Sequence, residues 1–130
     1  MGTGPGQIRH MRSTAQLDAI VEAKRARHPE LREPLTWAGF QAVCRREGIS
    51  VSHAPLPTDA VLLTALGTAA IVINSGLDVR RHTYRGTHEL AHHWAHSSRE
   101  PVIYTMRDLA GPDEREDEAE YIATRLLQGW

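Results

Sequence analysis

Apolar residues recur along this chain with two periods, one helical and one of strands. Leu17, Ile20 and Val21 follow Ser13 at helical spacing until Pro29, and Gln16 three residues after Ser13 completes a capping-box signal, which predicts a first helix. Thr36 is placed to cap a second helix with Trp37, Phe40 and Cys44 on one face, closed by Gly48 with Ile49 beyond it in the manner of a Schellman ending. Ile49, Val51 and His53 alternate with serines, the pattern of a half-buried strand, and Pro55 to Pro57 turn the chain. Val61 to Leu66 and Ala69 to Ile73 flank Gly67-Thr68 and read as a hairpin.

Asn74-Ser75-Gly76 ends that sheet. Asp78 then caps a helix running to about His96, although Gly86 inside it costs ~1 kcal/mol relative to alanine. Ser97 to Ala110 reads as a loop with a short strand at Val102 to Tyr104. Pro112 and the Asp113 to Glu116 pair open a last helix carrying Ala119, Ile122, Ala123, Leu126 and Leu127. The expected fold is α+β, a small antiparallel sheet packed against helices. It forms a single domain over 13–130, after a Gly-rich polar arm over 1–12 that reads as flexible.

Composition narrows the function. A chain of 130 residues suits one domain, and 41% apolar with 24% charged residues can bury a core. Fifteen basic against sixteen acidic residues leave a net charge of -1, so no global field favours nucleic acid or an anionic membrane, and direct nucleic-acid binding is not expected. The single Cys44 excludes an internal disulfide and a Cys-rich zinc site, as suits a reducing compartment. The apolar stretch from Val61 to Ile73 is broken by Thr64, Gly67 and Thr68 and falls short of the ~20 residues of a spanning helix. Met1 to Gln7 has no apolar signal region, so a cytoplasmic location is expected.

Histidine is the unusual residue: His82, His88, His92, His93 and His96 fall within fifteen positions. His88-Glu89-Leu90-Ala91-His92 fits HExxH, which projects two histidines from one helix face close enough to share a metal ion, with Glu89 beside them to take a proton from water. By composition alone this pattern arises in roughly 4 chains per 100, so a third ligand must support it. Catalytic zinc sites of this type add a glutamate, and the last helix offers several. Glu118 heads a column with Ile122 and Leu126 that looks toward the core, whereas Glu116 heads Glu120 and Thr124, which looks toward water; this selects Glu118. Glu116 stays the alternative, because at i+3 spacing it meets Ala119 and Ala123. Such ligands also accept manganese, iron or cobalt in place of Zn2+.

From about Trp37 to Leu127 the chain resembles the ImmA/IrrE-type metallopeptidases. The resemblance rests on Ile73-Asn74, Arg80-Arg81, the HELxHxxxH block from His88 to His96, the E-x-E-A block from Glu116 to Ala119, and Leu126-Leu127. It implies a zincin-like fold, metal binding by His88, His92 and Glu118, catalysis by Glu89, and a protein substrate, often a helix-turn-helix repressor encoded nearby. The chain departs from the pattern at Glu120, where the family has Asn or Asp, at Gln128-Gly129, where it has Met-Pro, and at Arg85, where a small hydroxyl residue is common.

The expected activity is therefore a zinc-dependent metalloendopeptidase. Arg81, Arg85, His88, His92 and His96 share one helical arc, so Arg85 is a candidate for a substrate carbonyl or carboxylate, set against a surface salt bridge to Asp78 or the acidic helix. His96 is a candidate to orient substrate, and His93 to support the site or face solvent. Tyr84, Tyr104 and Tyr121 are hydroxyls available to an oxyanion. The rival reading is a zinc-stabilised regulatory or interaction module, such as a toxin-antitoxin or stress-response component, with weak or no peptidase activity. The few residues after Leu127 favour it, since a partner or a homodimer would then complete the cleft; the intact Glu89 favours the enzyme.

Overall fold

The first three α-helices start where the sequence supplies a cap. The computed structural model describes residues 12–65, 67–96, 102–105 and 114–128, the four residues 102–105 by their backbone alone. Helix α1 spans Thr14–Arg27 with the reciprocal Ser13–Gln16 capping box in place, and a short 3₁₀ turn, Pro29–Arg32, follows it. Helix α2 spans Trp37–Arg46; the Thr36 hydroxyl accepts from Gly39 N, and Gly48 takes φ +74° just past its end, a conformation glycine adopts without penalty. Strands β1 (Ile49–Ala54), β2 (Ala60–Ala65) and β3 (Thr68–Asn74) come next, then α3 (Val79–His96), β4 (Val102–Thr105) and α4 (Glu114–Gln128). The expected arm over 1–12 lies outside the described residues except for Arg12, as do the predicted caps Pro112 and Asp113.

The α+β expectation holds, but the sheet is mixed rather than wholly antiparallel. Its order is β1-β3-β2-β4: β2 pairs antiparallel with β3 and β4, while β1 pairs parallel with β3, Ile49 opposite Ala69. The Pro55 to Asp59 connection carries the chain one strand too far for β1 and β2 to pair, and β3 returns into the gap. β3 suits that central place because both its faces are apolar, with Ala69, Ile71 and Ile73 buried and Ala70 and Val72 half-buried. β1, with outward Ser50 and Ser52, suits an edge.

Leu62, Ile71 and Ile73 from the sheet meet Phe40 and Val43 of α2, Leu90 and Ala91 of α3, and Ile122 and Leu126 of α4 in one core. Gly86 explains itself there. A Cβ at this position would lie 2.7 Å from Phe40 Cζ and 3.2 Å from Ile73 Cδ1, so the glycine lets α3 settle onto α2 and β3. Against the ~1 kcal/mol it costs in helix propensity stands the contact of two core side chains. On α4, which packs against both α3 and α1, Ala119 and Ala123 are fully buried.

Candidate metal centre

Asp78 accepts a hydrogen bond from Arg81 N and starts α3, as its sequence predicts. Two turns later the helix is buried all round: His88 is 3% exposed, Glu89 0% and His92 1%. Burial on this scale fixes the imidazoles before any ligand arrives.

His88 and His92 aim at one carboxylate. His88 Nε2 lies 3.1 Å from Glu116 Oε1, and His92 Nε2 lies 3.0 Å from Glu116 Oε2. One donor atom from each of the three residues falls within 4.8 Å of the others, a separation that closing on a common ion at ~2.0–2.2 Å requires only small side-chain adjustments to meet. Two imidazoles and a carboxylate are also the donor set of an open catalytic site. The residues present therefore fit a divalent ion.

The carboxylate that meets the histidine pair is Glu116, where the helical-wheel argument selects Glu118. The cause lies in the alanines. A wheel ranks faces by bulk and sends α4's interior toward Ile122 and Leu126, yet Glu116 and Glu120 are the residues that reach the histidines of α3, and the buried Ala119 and Ala123 lie three and seven residues from Glu116 on that side of the helix. Glu118 is buried on a neighbouring side. Its Oε2 accepts from Arg12 N at 2.7 Å, and its Oε1 lies 2.8 Å from His96 Nε2.

Each histidine is also held from behind. His88 Nδ1 lies 3.1 Å from Glu120 Oε1, and Tyr84 Oη donates to Glu120 Oε2 at 2.7 Å. His92 Nδ1 lies 3.1 Å from His96 Nδ1. Burial pushes the His88 imidazole down, but hydrogen bonds to Glu116 and Glu120 and the charges of Glu89 and Glu116 outweigh it and lift the group to about 9. Burial raises Glu116, and its two histidines overcome that, holding it at about 2. Glu89, fully buried, is close enough for its charge to act on His88.

The other predicted residues fall elsewhere. Arg85 Nε lies 3.3 Å from Asp59 Oδ2 before β2, which Arg81 also approaches, and the charge of Arg85 acts on Glu120 of the acidic helix α4. Tyr84 supports Glu120, and Tyr121 donates to Asp18 on α1. His93 is half-buried near Glu47 and Lys24, and burial lowers its basicity. The side chain of Tyr104 lies outside the described residues. Three participants went unassigned from sequence: Glu120 behind His88, Arg12 behind Glu118, and Asp59 under Arg85. Of these only Glu120 left a signal, its i+4 spacing from Glu116.

No curated protein and no solved structure matches the chain. The family Peptidase_M78, described as an IrrE N-terminal-like domain, matches residues 44–127, a span that takes in the whole sheet, α3 and all three residues of the cluster. With well over half its length in that match and its histidines and glutamate inside it, the chain belongs to the IrrE N-terminal-like family of peptidases.

Proposed function

We propose that this protein is a zinc-dependent metalloendopeptidase whose ion is held by His88, His92 and Glu116. The convergence of both Nε2 atoms on the two oxygens of Glu116 carries the reading. When bound, the ion supplies Lewis acidity toward a peptide carbonyl and a water. Glu89 accepts the proton of that water and returns it to the leaving amine. Glu120 keeps the His88 proton on Nδ1, which leaves Nε2 a lone pair for the ion.

Glu89 also separates the enzyme from the rival module. A fully buried carboxylate next to three ligands lowers stability, and a purely structural site has no use for it. The substrate proposed is a protein, a helix-turn-helix repressor, on the strength of the family resemblance. No helix among the described residues is long and apolar enough to cross a membrane. A cytoplasmic location is proposed from the single, buried Cys44, which suits a reducing compartment.

Glu89→Gln tests the role. The amide fills the same space and cannot accept the proton, so cleavage of the cognate repressor should fall by roughly 100-fold or more with metal content unchanged. Cleavage at the wild-type rate by this variant contradicts the general-base assignment.

A further inference from the structure

His96 and Glu118 lie beside the cluster, and the reaction proposed above gives them no step. Their geometry is nonetheless specific. His88, His92 and His96 stand one turn apart on α3, with ring centroids 4.9 and 5.3 Å apart in sequence. His92 Nδ1 is 3.1 Å from His96 Nδ1, His96 Nε2 is 2.8 Å from Glu118 Oε1, and Glu118 Oε2 accepts the backbone N–H of Arg12 at 2.7 Å. The Arg12 guanidinium reaches Glu118 Oε1 at 3.4 Å and donates to Ala95 O at 2.9 Å. The side chains of His96 and Glu118 are only 8% and 5% exposed.

Proton bookkeeping gives this chain a direction. An imidazole that offers Nε2 to a metal must carry its hydrogen on Nδ1. His92 then donates from Nδ1 to His96 Nδ1, which must accept. His96 is thereby left with its hydrogen on Nε2, which it donates to Glu118 Oε1. Glu118 ends the chain as an acceptor-only carboxylate, held by donors from Arg12. Every link is satisfied in one arrangement, and it is the arrangement in which His92 can bind metal.

We propose that His96 and Glu118 are positioning residues for His92, fixing its ring and its tautomer for the ion, and that Arg12 anchors this support from the segment before α1. The inference rests on the metal reading above and reassigns two residues within it: Glu118 acts through His96 and is not a ligand, and His96 orients His92 instead of substrate.

The test measures metal affinity of the full chain by competition with a chromogenic zinc chelator, together with the visible spectrum of the cobalt-substituted protein. His96→Leu removes the acceptor for His92 Nδ1 and should weaken zinc binding ~10–100-fold, the usual range for such outer partners, and shift the cobalt bands. His96→Gln, which keeps an oxygen acceptor, should recover most of that loss. Glu118→Ala should weaken binding about tenfold and Arg12→Ala less, both retaining one ion per chain at saturation. Wild-type affinity and an unshifted cobalt spectrum in both His96→Leu and Glu118→Ala would overturn the proposal. So would complete loss of the ion in Glu118→Ala, which would make Glu118 a ligand. If His96→Leu does not fold, His96→Gln and Arg12→Ala decide alone, and wild-type affinity with an unshifted spectrum in both overturns it. Failure of the underlying reading looks different: the wild-type chain itself then binds no zinc.

Discussion

Helix α3 carries a carboxylate-centred cluster on each side, and the two differ in what their carboxylates meet. Trp94 is two residues from His92 and so points almost opposite to it around the helix. On Trp94's side Glu47 accepts from Trp94 Nε1 at 2.9 Å and from Lys24 at 3.2 Å, and lies 2.6 Å from His28 Nε2. His28 Nδ1 faces Arg46, which grips both oxygens of Glu30 and holds that carboxyl at about 2. Two carboxylates meet two cations there, and the network is complete. On the other side Glu89, Glu116, Glu118 and Glu120 gather around three imidazoles, the Arg12 guanidinium meets Glu118, and the charge of Arg85 acts on Glu120. Two imidazoles and a carboxylate gathered this closely are the donor set that a divalent ion takes. Similar donors therefore make a structural staple on one face and a candidate metal centre on the other.

The largest effect on the comparison comes from breaking the staple. Glu47→Ala strands Lys24 and His28 and should destabilise the fold by about 3 kcal/mol, seen as a lowered Tm, while metal bound per folded chain stays at the wild-type value. Loss of the ion at temperatures where this variant is still folded would show that the two faces are not separable.

Proton competition gives the next largest effect and acts only on the metal face. His88, lifted to about 9, must lose its proton to bind, so zinc affinity should weaken by about tenfold for each pH unit below that value, some hundredfold between pH 8 and 6. The sign reverses without metal. A folded-state value raised above the ordinary 6.5 contributes stability below pH 6.5, and that contribution is lost as pH rises through about 9, so the metal-free chain should melt lower at pH 9 than at pH 6.5. Titration calorimetry and paired melting curves check both.

Gly86→Ala has the smallest expected effect and touches both faces, because Gly86 sets how closely α3 lies against Phe40. Overpacking should cost roughly 1–3 kcal/mol in a denaturant melt, with a modest loss of metal affinity as the helix shifts. Unchanged stability would mean that Phe40 moves aside without strain.

What the sequence revealed follows from where the physics is local. Caps at Ser13, Thr36 and Asp78 and the turn at Gly48 are decided by neighbours a few residues away, and all of them formed as the pattern predicts. HExxH is equally local, since a single helix fixes the spacing of His88 and His92. Strand neighbours are not: the alternation in β1 tells which residues face inward but not that β3 would enter between β1 and β2. The choice between Glu116 and Glu118 depended on which face of α4 meets α3, and alanines conceal that from a pattern that ranks faces by size. Arg12 was beyond reach, because its partner lies 106 residues away and nothing in a Gly-rich arm marks it.

Zinc content of the purified wild-type, Glu116→Ala and Glu118→Ala proteins tests the central assignment most directly. One ion per chain in the wild type, none retained by Glu116→Ala, and one held more weakly by Glu118→Ala is the predicted result. Stoichiometric zinc surviving in Glu116→Ala but lost in Glu118→Ala would contradict it.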